Sequence, residues 1–563
     1  MRTLLVANRG EIAARIVRTC AELGLRSVAV HSDADAAALH VRLADEAVRL
    51  PGTAAADTYL DADLLVDAAL RSGADAVHPG YGFLSESAAF AAAVGKAGLT
   101  YVGPPPEAVR TLGDKTRARA LARVACVPVV PGTTDVTPAA VAAFGAEVGW
   151  PLVVKAASGG GGRGMRVITG PDRVAEAVTA ARTEALAAFG DDTVHVERFL
   201  PAPRHVEVQV LADTHGTVLA LGDRDCSVQR RHQKLVEEAP APRLDPAVRT
   251  ALADAAVRLA SEAGYVGAGT VEFLVQGDEF FLLEVNTRIQ VEHPVTELVT
   301  GVDLVREQLR VADGARITAP GPPRGHAVEC RITAEDPGAG FAPTPGRLTA
   351  LSVPWLPGIR FDAGYEAGDT VPPHYDTLVG KLAAWGPTRE VALHRLRAAL
   401  AGTTVAGVRS SVPAGLAVLD HPDLAAGAVS TTWFDDEIVP GLAAAVPEPA
   451  GTVVVGGRAY RIPRPPGRAP VRRAATGPPV TRRPRGAAEG PELRSPMQGT
   501  VTAVHVAERE RVTVGRTLVT LEAMKMEHPL RAAADGVVER VPVAVGDTVA
   551  PGALVVRLLP TEP

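Results

Sequence analysis

Two strand-like runs, at 270–275 and 280–286, carry Glu272, Glu284 and Asn286 inside otherwise apolar stretches. Acids placed there are costly unless a cation compensates them. Carboxylate and amide oxygens suit Mg²⁺ (or Mn²⁺) bridging ATP phosphates. A solvent-facing acidic strand is the plainer alternative, but the run Phe280, Phe281, Leu282, Leu283 opposes full exposure. Side chains alternate along a strand, so Glu284 and Asn286 share a face. A two-residue loop at 277–278 sets Glu272 against Leu283, on the wrong face. A three-residue loop at 277–279 sets it against Glu284. The metal reading therefore predicts an odd loop. If alternation continues, Arg288, Gln290 and Glu292 follow on the same face. A cation, an amide and a carboxylate beside metal-bound phosphate make a small anion site with a base next to it.

Upstream, four consecutive glycines, 159–162, follow a strand that ends near Lys155. Bare backbone folds over phosphates and donates its N–H groups; a merely flexible loop is the alternative. No GK[ST] follows, so this is not a P-loop. Further on, Glu197, Arg198, Phe199 and Leu200 are placed to line an adenine pocket. A third feature is Lys525, flanked by two of the five methionines. It lies in the connector of an internal repeat: Gly499, Val501, Val504, Val506, Val512, Gly515, Leu518 and Leu521 recur 37 positions later. Two matching sets of short strands imply a small β domain with pseudo-twofold symmetry. Lys525 then sits near an exposed turn, open to a modifying enzyme. An ordinary surface lysine is the default it competes with.

The elements that must position these groups fall into several units, as 563 residues require. Residues 1–112 alternate strands (4–7, 28–31, 76–78) with helices (11–23, 60–72, 87–97), a doubly wound α/β pattern. The first turn, Asn8-Arg9-Gly10, is no GxGxxG, so a dinucleotide site is not supported there. Units at 113–325 and 326–445 follow. Then comes a linker at 446–490, with a small hairpin at 452–462, and a β unit at 491–563. From 461 to 490 there are seven prolines, eight arginines and one acid. Such a tether spans roughly 90 Å as extended polyproline helix. A basic run can also bind nucleic acid, but the prolines and flanking domains favour a tether. The net charge of −6 draws the chain neither to nucleic acid nor to a membrane. No stretch approaches the ~18 apolar residues of a membrane span, and the N-terminus is no signal peptide. Four scattered cysteines without a CxxC suggest a reducing, cytoplasmic setting.

Several of these segments resemble known families. Ala523-Met524-Lys525-Met526 between β repeats, with Ser495-Pro496-Met497-Gln498-Gly499 upstream, looks like a biotin carrier. Lipoyl carriers share that fold but usually lack the Met-Lys-Met flank. The glycine run with Lys155 is similar to the ATP-grasp fold. The stretch from Glu284 through His293 closely resembles the biotin carboxylase signature. So do the stretches from Arg224 to Lys234, His326 to Ile332 and His78 to Glu86. The resemblance covers residues 1 to about 440, then 494–560. It implies a doubly wound N-terminal domain, an ATP-grasp domain, a mixed C-terminal domain and a flattened all-β carrier barrel. It implies that Lys115, Lys155, Gly161, Gly162, Glu197, Arg198, Phe199, Leu200, His205 and His232 bind ATP. Glu272, Glu284 and Asn286 would hold magnesium. Lys234, Arg288 and the Val291 backbone would hold bicarbonate, Glu292 would be the base, and Arg331 would stabilise developing charge. Tyr81 would line the biotin pocket, and Lys525 would carry biotin. Cys226 and Cys330 read as packed rather than reactive. Ser352–Gly358 and Ser410-Ser411 depart from the family pattern, and neither is expected to touch the chemistry.

With every substantial segment assigned, carboxyl transfer is expected from a separate acyl-CoA carboxyltransferase (β) subunit in a hetero-oligomer. A biotin protein ligase is expected to modify Lys525. Neither nucleic acid nor membrane is expected as a partner. The competing readings are a carrier scaffold with a dead ATP site, a lipoyl-type carrier, and a pyruvate or urea carboxylase fragment.

Overall fold

The opening Thr-Leu-Leu-Val run is buried along its whole length, as a central parallel strand must be. In the computed structural model, which describes residues 1–156, 165–189, 192–444, 451–455, 458–462, 492–497, 499–523, 526–550 and 552–560, this run is β1 (Thr3–Val6). It is flanked in parallel by β2 (Arg26–His31) and β4 (Ala76–His78), with β3 (Glu46–Arg49) and β5 (Thr100–Tyr101) at the edges. Helix α1 (Gly10–Leu23) follows β1 at once; Gly10 has φ +67°, which a side chain would resist. Side-chain oxygens of Asp61 and Ser87 cap the helices Ala62–Arg71 and Ala88–Lys96.

A four-stranded antiparallel sheet follows: β6 (Gly132–Thr133), β7 (Leu152–Ala156), β8 (Arg166–Ile168) and β9 (Val194–Arg198), in the order β6-β9-β7-β8. The glycine run, including Gly161 and Gly162, lies outside the described residues. The central feature is an eight-stranded sheet. Its strands are β10 (Arg204–Ala212), β11 (Val218–Arg230), β12 (Gln233–Ala239), β13 (Gly267–Gln276), β14 (Glu279–Asn286) and β15 (His326–Thr333), then Leu378–Gly386 and Ile359–Ala363. Their order is β14-β13-β10-β11-β12-β15 followed by those last two. Strand alternation divides its residues sharply. Val206, Val208, Val210, Val271, Phe273 and Val285 face one apolar core, while Glu207, Gln209, Thr270 and Glu272 go to the opposite, polar face.

The terminal unit is two four-stranded sheets around one core. Strands Gly499–Val504, Arg511–Val512 and Thr517–Ala523 of the first copy recur as Gly536–Arg540, Thr548–Val549 and Leu554–Pro560. The sequence repeat is thus a structural one. Strands Thr517–Ala523 and Met526–Arg531 pair up to Ala523 and Met526; Met524 and Lys525 between them lie outside the described residues. A hairpin, Gly451–Val455 with Arg458–Ile462, precedes this unit.

Candidate active site

The β13–β14 hairpin corrects the expected odd loop. Gln276 pairs with Glu279, so the connection is the two-residue Gly277-Asp278. That register would set Glu272 against Leu283. Instead Phe273 pairs with Leu282 and Glu272 with Glu284, leaving Leu283 as an unopposed bulge, 41 % exposed. The extra residue sits in the strand, not in the turn, and achieves the same alignment. Glu284, Glu272, Glu207 and Arg224 consequently form one row across β14, β13, β10 and β11.

Continued alternation past Asn286 does not occur, because β14 ends there. Residues 287–292 turn across the polar face and deliver Gln290 and Glu292 to it, both buried. Arg288 donates to Asn286 Oδ1 (2.7 Å) and pairs with Glu86 (3.1 Å).

Lys234 is the centre of the cluster. Its Nζ lies 2.6 Å from Glu207 Oε2, 3.0 Å from Glu272 Oε1 and 2.6 Å from Glu292 Oε1. Burial alone would depress the ammonium; the three carboxylates overcome it and raise Lys234 well above its usual range. Conversely, burial would raise Glu292, but Lys234, then Arg331 and Arg224, hold it below the usual carboxylate range. Arg331 Nη2 donates to the other Glu292 oxygen (3.0 Å), and its Nε to Glu237 (2.6 Å). The position is therefore an ionised carboxylate clamped between two cations.

Arg224, fully buried, fixes the floor. It donates to Glu207, Gln209 Oε1 (2.7 Å), Thr296 Oγ1 (2.9 Å), Thr270 Oγ1 (3.1 Å) and Gln290 Oε1 (2.7 Å). A guanidinium with its donors all engaged is compatible with burial. Gln290 in turn donates to Glu272 Oε1 (2.5 Å), as does Asn286 (2.8 Å), while His205 lies 2.9 Å from Glu272 Oε2. Burial opposes the His205 charge, yet Glu272 raises its pKa. Glu284 is raised by the shielding of its cleft and by the neighbouring Glu272 carboxylate, with Lys115 pulling the other way. Two adjacent carboxylates that repel, with an amide oxygen beside them, fit a hard divalent cation in the kind of donor they offer.

Of the residues expected to bind nucleotide, Lys155, Glu197 and Arg198 lie on the smaller sheet. Lys155 on β7 lies 2.7 Å from Glu197 Oε2 on β9; Arg119 lies 2.6 Å and His195 3.3 Å from Glu197 Oε1. Arg198 pairs with Glu279 (2.8 Å). Phe199 N–H donates to Pro151 O (3.0 Å), and Leu200 is buried. Lys115 opens a helix whose N-cap, Asp114, accepts from Thr116 and Arg117 N–H. Arg231 and His232, both at positive φ, make the two-residue turn joining β11 to β12, which leaves His232 exposed at its tip. Val291 O accepts from Lys381 Nζ (2.8 Å). Tyr81 donates to Glu11, and Lys381 Nζ stands 6.0 Å from its ring centre.

Sequence reasoning gave no role to Glu207, Glu237, Lys381 or Ser411. Glu207 and Glu237 had a detectable signal: acids in the strand-like runs that also hold Gln209 and Lys234. Ser411, part of the Ser410-Ser411 departure, bonds to the backbone of the strand that carries Arg331. Its Oγ donates to Arg331 O (2.8 Å) and accepts from Thr333 N–H (2.9 Å), pinning the strand that presents Arg331. Cys226 and Cys330 are buried and free, and burial pushes both thiols up.

Known proteins match this architecture piece by piece. Family models match at residues 1–109 (biotin carboxylase, N-terminal domain), 114–319 (carbamoyl-phosphate synthase L chain, ATP binding domain), 329–436 (biotin carboxylase C-terminal domain) and 491–558 (biotin-requiring enzyme). The biotin-dependent acyl-coenzyme A carboxylase alpha3 subunit of Mycobacterium leprae is 44% identical, over 99% of this chain and 98% of that one. Among solved structures, a biotin carboxylase–β,γ-ATP complex from Campylobacter jejuni is similar with TM-score 0.71 and 39% identity, over 77% of this chain and 99% of that chain. The biotin carboxylase domain dimer of Hydrogenobacter thermophilus 2-oxoglutarate carboxylase, solved with MgADP, ADP and bicarbonate, also has TM-score 0.71. It is 41% identical, over 78% of this chain and 98% of that chain. Fold and site together define an ATP-grasp ligase with a biotin carrier domain in the same chain. The chain belongs to the biotin-dependent acyl-CoA carboxylase α-chain family, and its activity is the ATP-dependent carboxylation of biotin.

Proposed function

We propose that the Lys234–Glu292–Arg331 cluster activates bicarbonate for attack on the γ-phosphate of ATP. The observation that carries this is one buried ammonium held by three carboxylates, with Arg331 on the far oxygen of Glu292. Bicarbonate is taken to exchange for part of this web: Lys234, Arg288 and the Val291 N–H receive the anion. Glu292, kept ionised by its two cations, accepts the proton. The resulting carboxyphosphate decomposes to CO₂ and phosphate, and Arg331 stabilises negative charge that develops beside it. Carboxyphosphate hydrolyses readily, so Gly161 and Gly162 are assigned to a lid that excludes water before chemistry. Lys115, Lys155, His205 and His232 are assigned to ATP, with Glu197–Leu200 near the base.

Glu272, Glu284 and Asn286 would hold Mg²⁺, which supplies charge neutralisation of the ATP phosphates. Biotin on Lys525 would supply the ureido nitrogen to be carboxylated, its N–H proton passing to the phosphate released with CO₂, and Tyr81 is assigned to its pocket. The reading is tested with bicarbonate-dependent ATP hydrolysis on free biotin. Glu292→Gln is expected to lower kcat by about 100-fold or more, the size of a lost general base, while ATP affinity holds. Wild-type turnover by Glu292→Gln removes the assignment.

The relation to an acyl-CoA carboxylase alpha subunit supports a partner carboxyltransferase. We assign that role to a separate β subunit, which selects the acyl-CoA, and assign biotinylation of Lys525 to a biotin protein ligase. Among the described residues no helix is long and apolar enough to cross a membrane, and four free cysteines favour the cytoplasm. Avidin capture of the native complex with mass spectrometry tests both partners; a biotinylated chain with no carboxyltransferase retained leaves only the half-reaction.

A further inference from the structure

Beside Arg331 lie two carboxylates with no mechanistic task. Glu237 on β12 and Glu329 on β15 stand directly opposite in register, which places their Cβ atoms about 5 Å apart. Both are fully buried, at 0 % exposure. Arg331 engages one oxygen of Glu237, but among the described residues its Oε2 and both oxygens of Glu329 have no hydrogen-bond partner. Three buried, unpartnered acceptors on facing strands are untenable as two full negative charges. One proton resolves the conflict, because a carboxylic O–H donates to the opposing carboxylate.

We propose that Glu237 and Glu329 share one proton and act as a single acid–carboxylate unit that holds Arg331 against Glu292. The surroundings permit no second charge. Glu329 faces Glu237 from β12, Lys381 from the strand Leu378–Gly386, Arg331 from its own strand and Glu292 from the loop after β14. Lys381 is already committed to Val291 O and to Glu11 of α1, 3.2 Å away. From the helix His293–Thr300 packed over this face, Glu297 is taken by Arg15 and Arg360, and His293 stays neutral through burial and the nearby cations. Consistent with this balance, burial pushes Glu237 up to about 7 and Glu329 well above the carboxylate range, despite the pull of Arg331 and Lys381. Glu329 is thus a positioning residue: it reaches the chemistry only through Arg331.

The proposal rests on the reading of Arg331 as a site residue, so its test has one arm that does not. Infrared difference spectra of the full chain at pH 7, wild type minus Glu329→Gln, should show a protonated-carboxyl C=O band. Absence of that band overturns the shared proton whatever Arg331 does. In the second arm Glu329→Gln, which can still donate to Glu237, should turn over within about threefold of wild type at neutral pH. The alkaline fall of its kcat profile should move by about half a pH unit or more. Glu329→Leu, which cannot donate, should lose about tenfold or more in kcat with KM for ATP unchanged. Wild-type kcat in Glu329→Leu, or a Glu329→Gln profile that does not move, overturns the positioning role. Should Glu329→Leu fail to fold, the band and the Glu329→Gln profile decide.

Discussion

Replacing Lys234 by methionine removes one cation from among three carboxylates while conserving most of the side-chain volume. The gross attraction is large: at N–O separations of 2.6–3.0 Å, an effective dielectric near 20 gives about 6 kcal/mol per pair. Desolvation of the buried ions offsets most of it, so the measurable loss on breaking such a cluster is about 3–5 kcal/mol. The loss must depend on pH. In the wild type Glu272 and Glu292 lie below their unfolded values. Their stabilisation is present above the unfolded carboxylate pKa and is lost only as pH falls through the depressed folded values. In Lys234→Met the carboxylates repel and at least one must hold a proton. Each such carboxylate costs about 1.4 kcal/mol per pH unit above its unfolded pKa. The variant's deficit therefore grows from pH 5.5 to pH 8.5. For a unit of this size, 3–5 kcal/mol corresponds to roughly 6–20 °C in Tm, with the larger value at alkaline pH. Differential scanning calorimetry without ligands, at both pH values, measures it. A Tm loss that is equal at the two, or larger at pH 5.5, refutes the account of Lys234 as the neutralising centre.

Lys525→Ala should abolish carboxyl transfer to any acyl-CoA yet leave carboxylation of free biotin intact; equal loss of both sinks the two-module account. Glu284→Gln should raise the Mg²⁺ needed for half-maximal ATP hydrolysis by about ten- to a hundredfold, on the scale of altered metal sites. The same change should raise Tm at pH 8 without metal, because a carboxylate with a raised folded pKa loses stability as pH climbs above its unfolded value. A lower metal-free Tm contradicts the repulsion argument. Ser411→Ala leaves Arg331 O and Thr333 N–H without their side-chain partner. It should cost about 1–3 kcal/mol, seen as a fall in Tm, with kcat reduced more than KM for ATP.

How much of this was legible in sequence depended on whether a residue's meaning is local. The α/β start and the 37-residue repeat are local patterns, and each reads from periodicity alone; the linker expected from composition at 463–490 lies outside the described residues. The acids of β13 and β14 were legible as costly residues in apolar runs, but their alignment was not. Turn length and bulge position both shift register by one residue and flip every later side chain. A sequence with Gly277-Asp278 in a favourable two-residue turn cannot by itself announce that Leu283 takes up the slip. Arg224 and Glu207 are harder still. They sit on neighbouring strands 17 residues apart, and only the sheet order places them in the row with Glu272 and Glu284. The same holds for Glu237 and Glu329, which look like ordinary strand acids until β12 and β15 pair. Charged residues at strand positions were thus a reliable sign of a built site, since each must find a partner on a neighbouring strand. The identity of that partner is a property of topology. This is why Lys234, whose flexible stem reaches three carboxylates on three different segments, could not be read from sequence as the point where the whole web is neutralised.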